Sequence, residues 1–189
     1  MKLIGLMRNF TSFSKTKIYL VKTPWRYYNK LKNRSFFMDK WDQRFMDMAT
    51  KVATWSSCFR TGRQVGALVT KNKRILTTGY NGAPSGITSC VEKGRCMRDD
   101  MNIPSGTRHE LCYAVHAEQN AIIQAAKLGV SLEGATMYCT HHPCVICAKM
   151  IVNSGIKRVV YLIDYPDEFA ARILAEGEVS VERFEPRAC

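Results

Sequence analysis

His116 and Glu118 stand two residues apart in HAEQNAIIQAA, and Cys144 and Cys147 stand three apart in HHPCVICAKM. One imidazole and two thiols form a soft-to-borderline donor set that suits Zn²⁺. Three protein ligands leave the fourth tetrahedral position open, as in catalytic zinc sites, whereas a structural site closes with a fourth side chain. Zinc in such a site lowers the pKa of water toward ~7. Glu118 is then free of the metal and placed to shuttle protons. Alone it would read as a carboxylate complementing a helix N-terminus. Beside three ligands it reads as chemistry.

These residues need elements to position them. Phe45, Met48, Ala49 and Val52 recur at helical spacing, which predicts an amphipathic helix over about residues 41 to 57. VGALVTKNKRILTTGYNG predicts two strands, Val65 to Thr70 and Arg74 to Gly79, joined by the polar turn KNK. A Gly/Pro/Cys-rich excursion from Gly82 to about Tyr113 is too long for an ordinary connection. There follow a helix from about Ala114 to Lys127, the strand ATMYCT and a helix from Cys144 to Asn153. The strand RVVYLI, a helix from Asp167 to Ala175 and the strand VSVERF complete the order. This alternation implies an α/β fold: a central mixed sheet of about five strands with helices on both faces. His116 with Glu118, and Cys144 with Cys147, then fall in the first turns of two helices, whose positive ends favour thiolates.

A chain of 189 residues, 46% hydrophobic, is sized for one domain. No apolar run approaches a membrane span and the start lacks a secretory signal pattern, so the chain reads as cytoplasmic, without a membrane partner. Eight cysteines at metal-type spacings then point to ligation rather than disulfides. The net charge of +12 is unevenly placed. Residues 1–38 hold nine Lys or Arg and no acid, which leaves nineteen basic against sixteen acidic residues, or +3, for the rest. The segment 1–38 is therefore a basic extension, either disordered or a start-site artefact, with MDKWDQRFMDMA from Met38 reading as a natural beginning. A polyanion-binding arm and a transit-like leader are the other readings. Nucleic acid is a partner only through this tail.

The excursion contains Cys90, Cys96, His109 and Cys112, a complete set for a closed tetrahedral zinc site. A second, structural metal would pin the insertion. Cys139, inside a strand, reads as core.

His-x-Glu with Pro-Cys-x-x-Cys resembles the signature of zinc-dependent nucleobase deaminases. The segments GYNGAPSG, ELCYAVHAEQNAI, GATMYCT, PCVICAKMIVNSGIKRVVY and YPDE are similar to deoxycytidylate (dCMP) deaminases, including competence-operon members, over about residues 39 to 185. The resemblance implies a three-layer α/β/α cytidine-deaminase-like domain over 39–189 and the conversion of dCMP to dUMP for thymidylate synthesis. Hydroxide would attack C4 of the cytosine ring while Glu118 protonates N3 and relays a proton to the departing amino group. His116, Cys144 and Cys147 would hold the catalytic zinc, and Ala117 would let the backbone approach the pyrimidine. Asn81 matches a sugar-contacting residue, although an Asn-Gly turn residue reads equally well. Arg108 and Lys127 are candidates for the 5′-phosphate, or plain solvated charges. Phage relatives recruit a cysteine after the first helix to their second zinc, so Cys58 is an alternative ligand. The resemblance also implies a homohexamer, with dCTP as activator and dTTP as inhibitor acting through a segment like GYNGAPSG. A tRNA adenosine deaminase shares both zinc motifs, but GYNGAPSG and the second cysteine cluster favour the nucleotide enzyme. A zinc-stapled DNA-uptake module would have no need of Glu118.

Overall fold

A computed structural model describes residues 38–186 except residues 105 and 166; the basic extension up to residue 37 and Cys189 lie outside the described residues. Helix α1 (Lys40–Ala53) opens with a capping box in which Asp39 accepts from the Asp42 amide and Asp42 answers to the Asp39 amide. The chain then forms β1 (Gly66–Lys71), β2 (Arg74–Tyr80), the short helices α2 (Cys90–Lys93) and α3 (Met97–Asp100), and a 3₁₀ turn (His109–Leu111). It continues through α4 (Ala117–Leu128), β3 (Thr136–His141), α5 (Val145–Asn153), β4 (Arg158–Ile163), α6 (Glu168–Glu176) and β5 (Ser180–Arg183). Among the described residues no helix is long and apolar enough to cross a membrane.

The five strands run in the order β2-β1-β3-β4-β5. β1 is antiparallel to β2 and β3, while β3, β4 and β5 are parallel. Asn72 and Lys73 turn the β1–β2 hairpin, both at positive φ (51° and 62°), as a two-residue turn of the type that matches strand twist requires.

Alternation along the strands builds the layers. Leu68, Tyr138 and Val160 face α1, where they bury Phe45, Met46 and Ala49 together with Phe184. Their neighbours Ala67, Val69, Met137, Cys139 and Val159 face the other way, against Ala117, Ala121 and Ala125 of α4, Ala148 and Ile151 of α5, and Ala170 and Leu174 of α6. One helix thus covers one face and three helices the other, the three-layer arrangement expected. Helix α1 ends at Ala53 rather than near residue 57, because Ser56 and Ser57 leave it to bond Asn81 beyond β2.

The excursion after β2 is held by a side chain. Buried Arg98 donates to the carbonyls of Pro104, Thr107 and Arg108 at 2.6–2.9 Å, and so shapes the turn that leads into the 3₁₀ segment. A guanidinium with its fork of donors suits three converging carbonyls.

Candidate active site

The site forms where the carboxyl ends of parallel β3 and β4 meet the N-termini of α4 and α5, the place where open α/β sheets bind ligands. His116 is the N-cap of α4 in extended backbone, with its amide donating to Gln119 Oε1 at 2.9 Å. Cys144 is the N-cap of α5, and Cys147 lies one turn into that helix. Both sulfurs approach one atom: Cys144 Sγ lies 3.5 Å and Cys147 Sγ 3.4 Å from His116 Nδ1. One imidazole proton cannot serve two sulfurs. A tetrahedral zinc ion bonded at about 2.0–2.1 Å to nitrogen and about 2.3 Å to sulfur sets those donors roughly 3.5 Å apart, so the residues fit the metal. Among the described residues this is the one group of three or more metal-type side chains whose ligand atoms all lie within 4.8 Å of one another.

The charges are arranged accordingly. A hydrogen bond from Cys147, opposed by burial and helped by His116, draws Cys144 down to about 3. The same bond and burial hold Cys147 well above the ordinary thiol range. The bond to Cys144 also raises His116, against burial. Glu118, the second residue of α4, is buried, and burial pushes its carboxyl up. The Cys147 and Cys139 thiols are its neighbours. Cys139 is core, as its strand position predicts, and it also underlies Glu118.

One cavity takes in His116, Ala117, Glu118, Cys144 and Asn81. Asn81 is tied to its walls: Oδ1 accepts from Ser56 Oγ at 2.6 Å and Val65 N at 2.8 Å, and Nδ2 donates to Arg63 O at 2.8 Å. It braces the loop before β1. Neither proposed phosphate contact lines this cavity. Arg108 pairs with Glu110 at 3.1 Å on the surface, and Lys127 sits in the last turn of α4, about 16 Å along the axis from His116. The cavity's cations are Arg60, Arg63 and Arg98. Arg98 is committed to carbonyls and Arg60 pairs with Asp99 at 3.3 Å. Arg63 has no carboxylate partner among the described residues, and after burial it is the second cause that lowers His141. Sequence spacing offered no sign of it beyond its place in the loop FRTGRQ that feeds β1.

Cys58, Cys90, Cys96 and Cys112 line the same cavity. Burial raises Cys58, with further upward pressure from Cys112, Cys96 and Cys90, so these thiols share one neighbourhood. His109, the imidazole of the predicted set, lines that cavity as well. Its Nε2 meets the Tyr165 hydroxyl at 3.3 Å, and its ring stands edge-on to His116 with centroids 5.4 Å apart. A partner distant in sequence thus meets one of its two ring nitrogens.

Fold and ligand chemistry together define a zinc-dependent deaminase acting on a cytidine-like substrate. The chain belongs to the cytidine and deoxycytidylate deaminase family, whose zinc-binding region matches residues 39–163. It is 38% identical over 146 residues to ComE operon protein 2 of Bacillus subtilis, covering 77% of this chain and 71% of that one. It is 36% identical over 157 residues to the deoxycytidylate deaminase of Schizosaccharomyces pombe, covering 82% of this chain but about half, 48%, of that relative's length. A dCMP deaminase of cyanophage S-TIM5 superposes with a TM-score of 0.61 at 35% identity, over 75% of this chain and 95% of the phage protein.

Proposed function

We propose that the chain hydrolyses dCMP to dUMP and ammonia. The observation that carries this reading is the convergence of His116, Cys144 and Cys147 beside buried Glu118, in a cavity that also admits Arg63. His116, Cys144 and Cys147 would hold a zinc ion. Bound there, zinc supplies the Lewis acidity that makes water a nucleophile at neutral pH. Glu118 carries the protons: as the C4–O bond forms and the C4–N4 bond breaks, one proton of the water passes through its carboxyl to N3 and the other to the departing nitrogen. Ala117, at the first position of α4, leaves the backbone open to the pyrimidine edge. Asn81 faces the sugar. Arg63, which lines the cavity, takes the 5′-phosphate in place of Arg108 or Lys127. The cyanophage relative was solved with dCMP and dUMP, which supports the substrate.

The wider reading is a deaminase domain over 39–189 that assembles as a cytoplasmic homohexamer, activated by dCTP and inhibited by dTTP. A second zinc sits in the cysteine neighbourhood, with Cys58 replacing His109 beside Cys90, Cys96 and Cys112. The deciding experiment is a substrate panel of dCMP, dCTP, deoxycytidine and tRNA with purified protein. Loss of cytosine absorbance with dCMP and not with deoxycytidine is expected. Inosine in tRNA with dCMP untouched would overturn the reading.

A further inference from the structure

We infer that Asp167 is a positioning residue for Cys144, and that its single carboxylate fixes the metal-bearing helix α5 by capping α5 and α6 together. The inference rests on the assignment of Cys144 as a zinc ligand. The first amides of a helix have no partner within it, and an N-cap side chain ordinarily accepts from one of them. Cys144 occupies the N-cap of α5 but makes no such bond, since its sulfur belongs to the ligand cluster. The free amide is Val145 N–H, and Asp167 Oδ2 accepts from it at 2.9 Å from 22 residues away. The other oxygen, Oδ1, accepts from Ala170 N at 2.9 Å as the N-cap of its own helix α6.

A planar carboxylate with one oxygen on each helix sets the distance between the two N-termini. It cannot turn to improve one bond without straining the other. Val145 follows Cys144 directly, so its amide is part of the peptide that aims the Cys144 sulfur. The same loop also reaches the other ligand helix. Tyr165 meets His109, and the His109 ring stands against His116. Hydrogen bonds outside the ligand set typically change metal affinity about 10–100-fold when removed.

The test is zinc release from the full chain to a chromophoric chelator, followed in parallel with thermal unfolding. Cys144→Ser identifies the release phase that belongs to this site. Asp167→Ala is expected to accelerate that phase about 10–100-fold. Asp167→Asn, with one acceptor oxygen for two amides, is expected to fall between. Asp39→Ala removes the N-cap of α1, remote from the ligands, and should lower the melting temperature while leaving release unchanged. Wild-type release from both Asp167 variants, with only the melting temperature lowered, would overturn the inference and leave an ordinary cap. A Cys144→Ser protein that keeps every zinc phase would instead overturn the ligand assignment, and the inference with it.

Discussion

Gly79 of β2 lies directly beneath Ala117 of α4: a Cβ on the glycine would be driven into the Ala117 carbonyl and to 2.5 Å from the Ala121 amide nitrogen. Both obstacles are backbone, so no side chain can swing aside. The contact sets how deeply the N-terminus of α4 sinks toward the sheet, and that N-terminus carries His116 and Glu118. Gly79→Ala should cost about 1–3 kcal/mol of stability, in the range of overpacked cores. Turnover should fall as well, because the helix that must move is the catalytic one. Thermal melts and dCMP kinetics on the same preparation check both; a variant with wild-type kcat would show that helix depth is not critical.

Glu118→Ala should retain zinc and fold yet lose nearly all turnover, since it removes a proton carrier and no proposed ligand. Zinc content by elemental analysis separates this from ligand loss. Retention of a tenth or more of wild-type turnover on dCMP would contradict the assigned role.

The legible parts of this molecule were local. His116 with Glu118 and Cys144 with Cys147 declare themselves because their spacings act within single helix turns, and the sheet does so because Leu68 and Ala67 alternate between two cores. What escaped depends on partners far along the chain. The contact between His109 and Tyr165, 56 residues on, has no local signature. Neither Arg98 nor Arg63 stands in a motif, yet one is buried among carbonyls and the other lines the cavity. Asp167 was visible as the start of its own helix, not as the cap of another.

The metal count distinguishes the two groups of cysteines. Elemental analysis should give two zinc ions per chain, with one lost together with activity in Cys144→Ser. Cys96→Ser and Cys58→Ser should each lose the other, because four thiols close a tetrahedral site where three do not. His109→Ala should keep it. One zinc per chain, unchanged by Cys96→Ser, would remove the second site.

Acid should act through Asp42. Its side chain is 7% exposed and bonds Arg158 Nη1 at 2.6 Å and the Tyr138 hydroxyl at 2.7 Å, joining α1 to β3 and β4. Burial raises its pKa, but hydrogen bonds from Arg158, Tyr138 and the Asp39 amide outweigh this and bring it below the ordinary 3.8. A folded pKa below the unfolded one means that the ionised group stabilises the fold. That stability is complete above the unfolded value and is lost as pH falls through the folded one. Asp42→Asn should therefore lower the melting temperature clearly at pH 7 and by less near pH 3. An equal gap at both pH values would show that the charge of Asp42 is not what counts.

The basic extension should contribute nothing to chemistry. Helix α1 carries its own capping box at Asp39 and Asp42, and every proposed ligand and substrate contact lies beyond it. Nine Lys or Arg without an acid in residues 1–38 should instead confer sequence-independent adhesion to polyanions. Such binding releases counterions, so it should weaken steeply with salt. A chain beginning at Met38 should match the full chain in kcat/KM for dCMP and lose retention on DNA at low salt. Failure of the shortened chain to assemble or turn over would make the extension part of the enzyme. Undiminished DNA binding by the shortened chain would place the polyanion surface on the deaminase domain, where basic and acidic residues nearly balance.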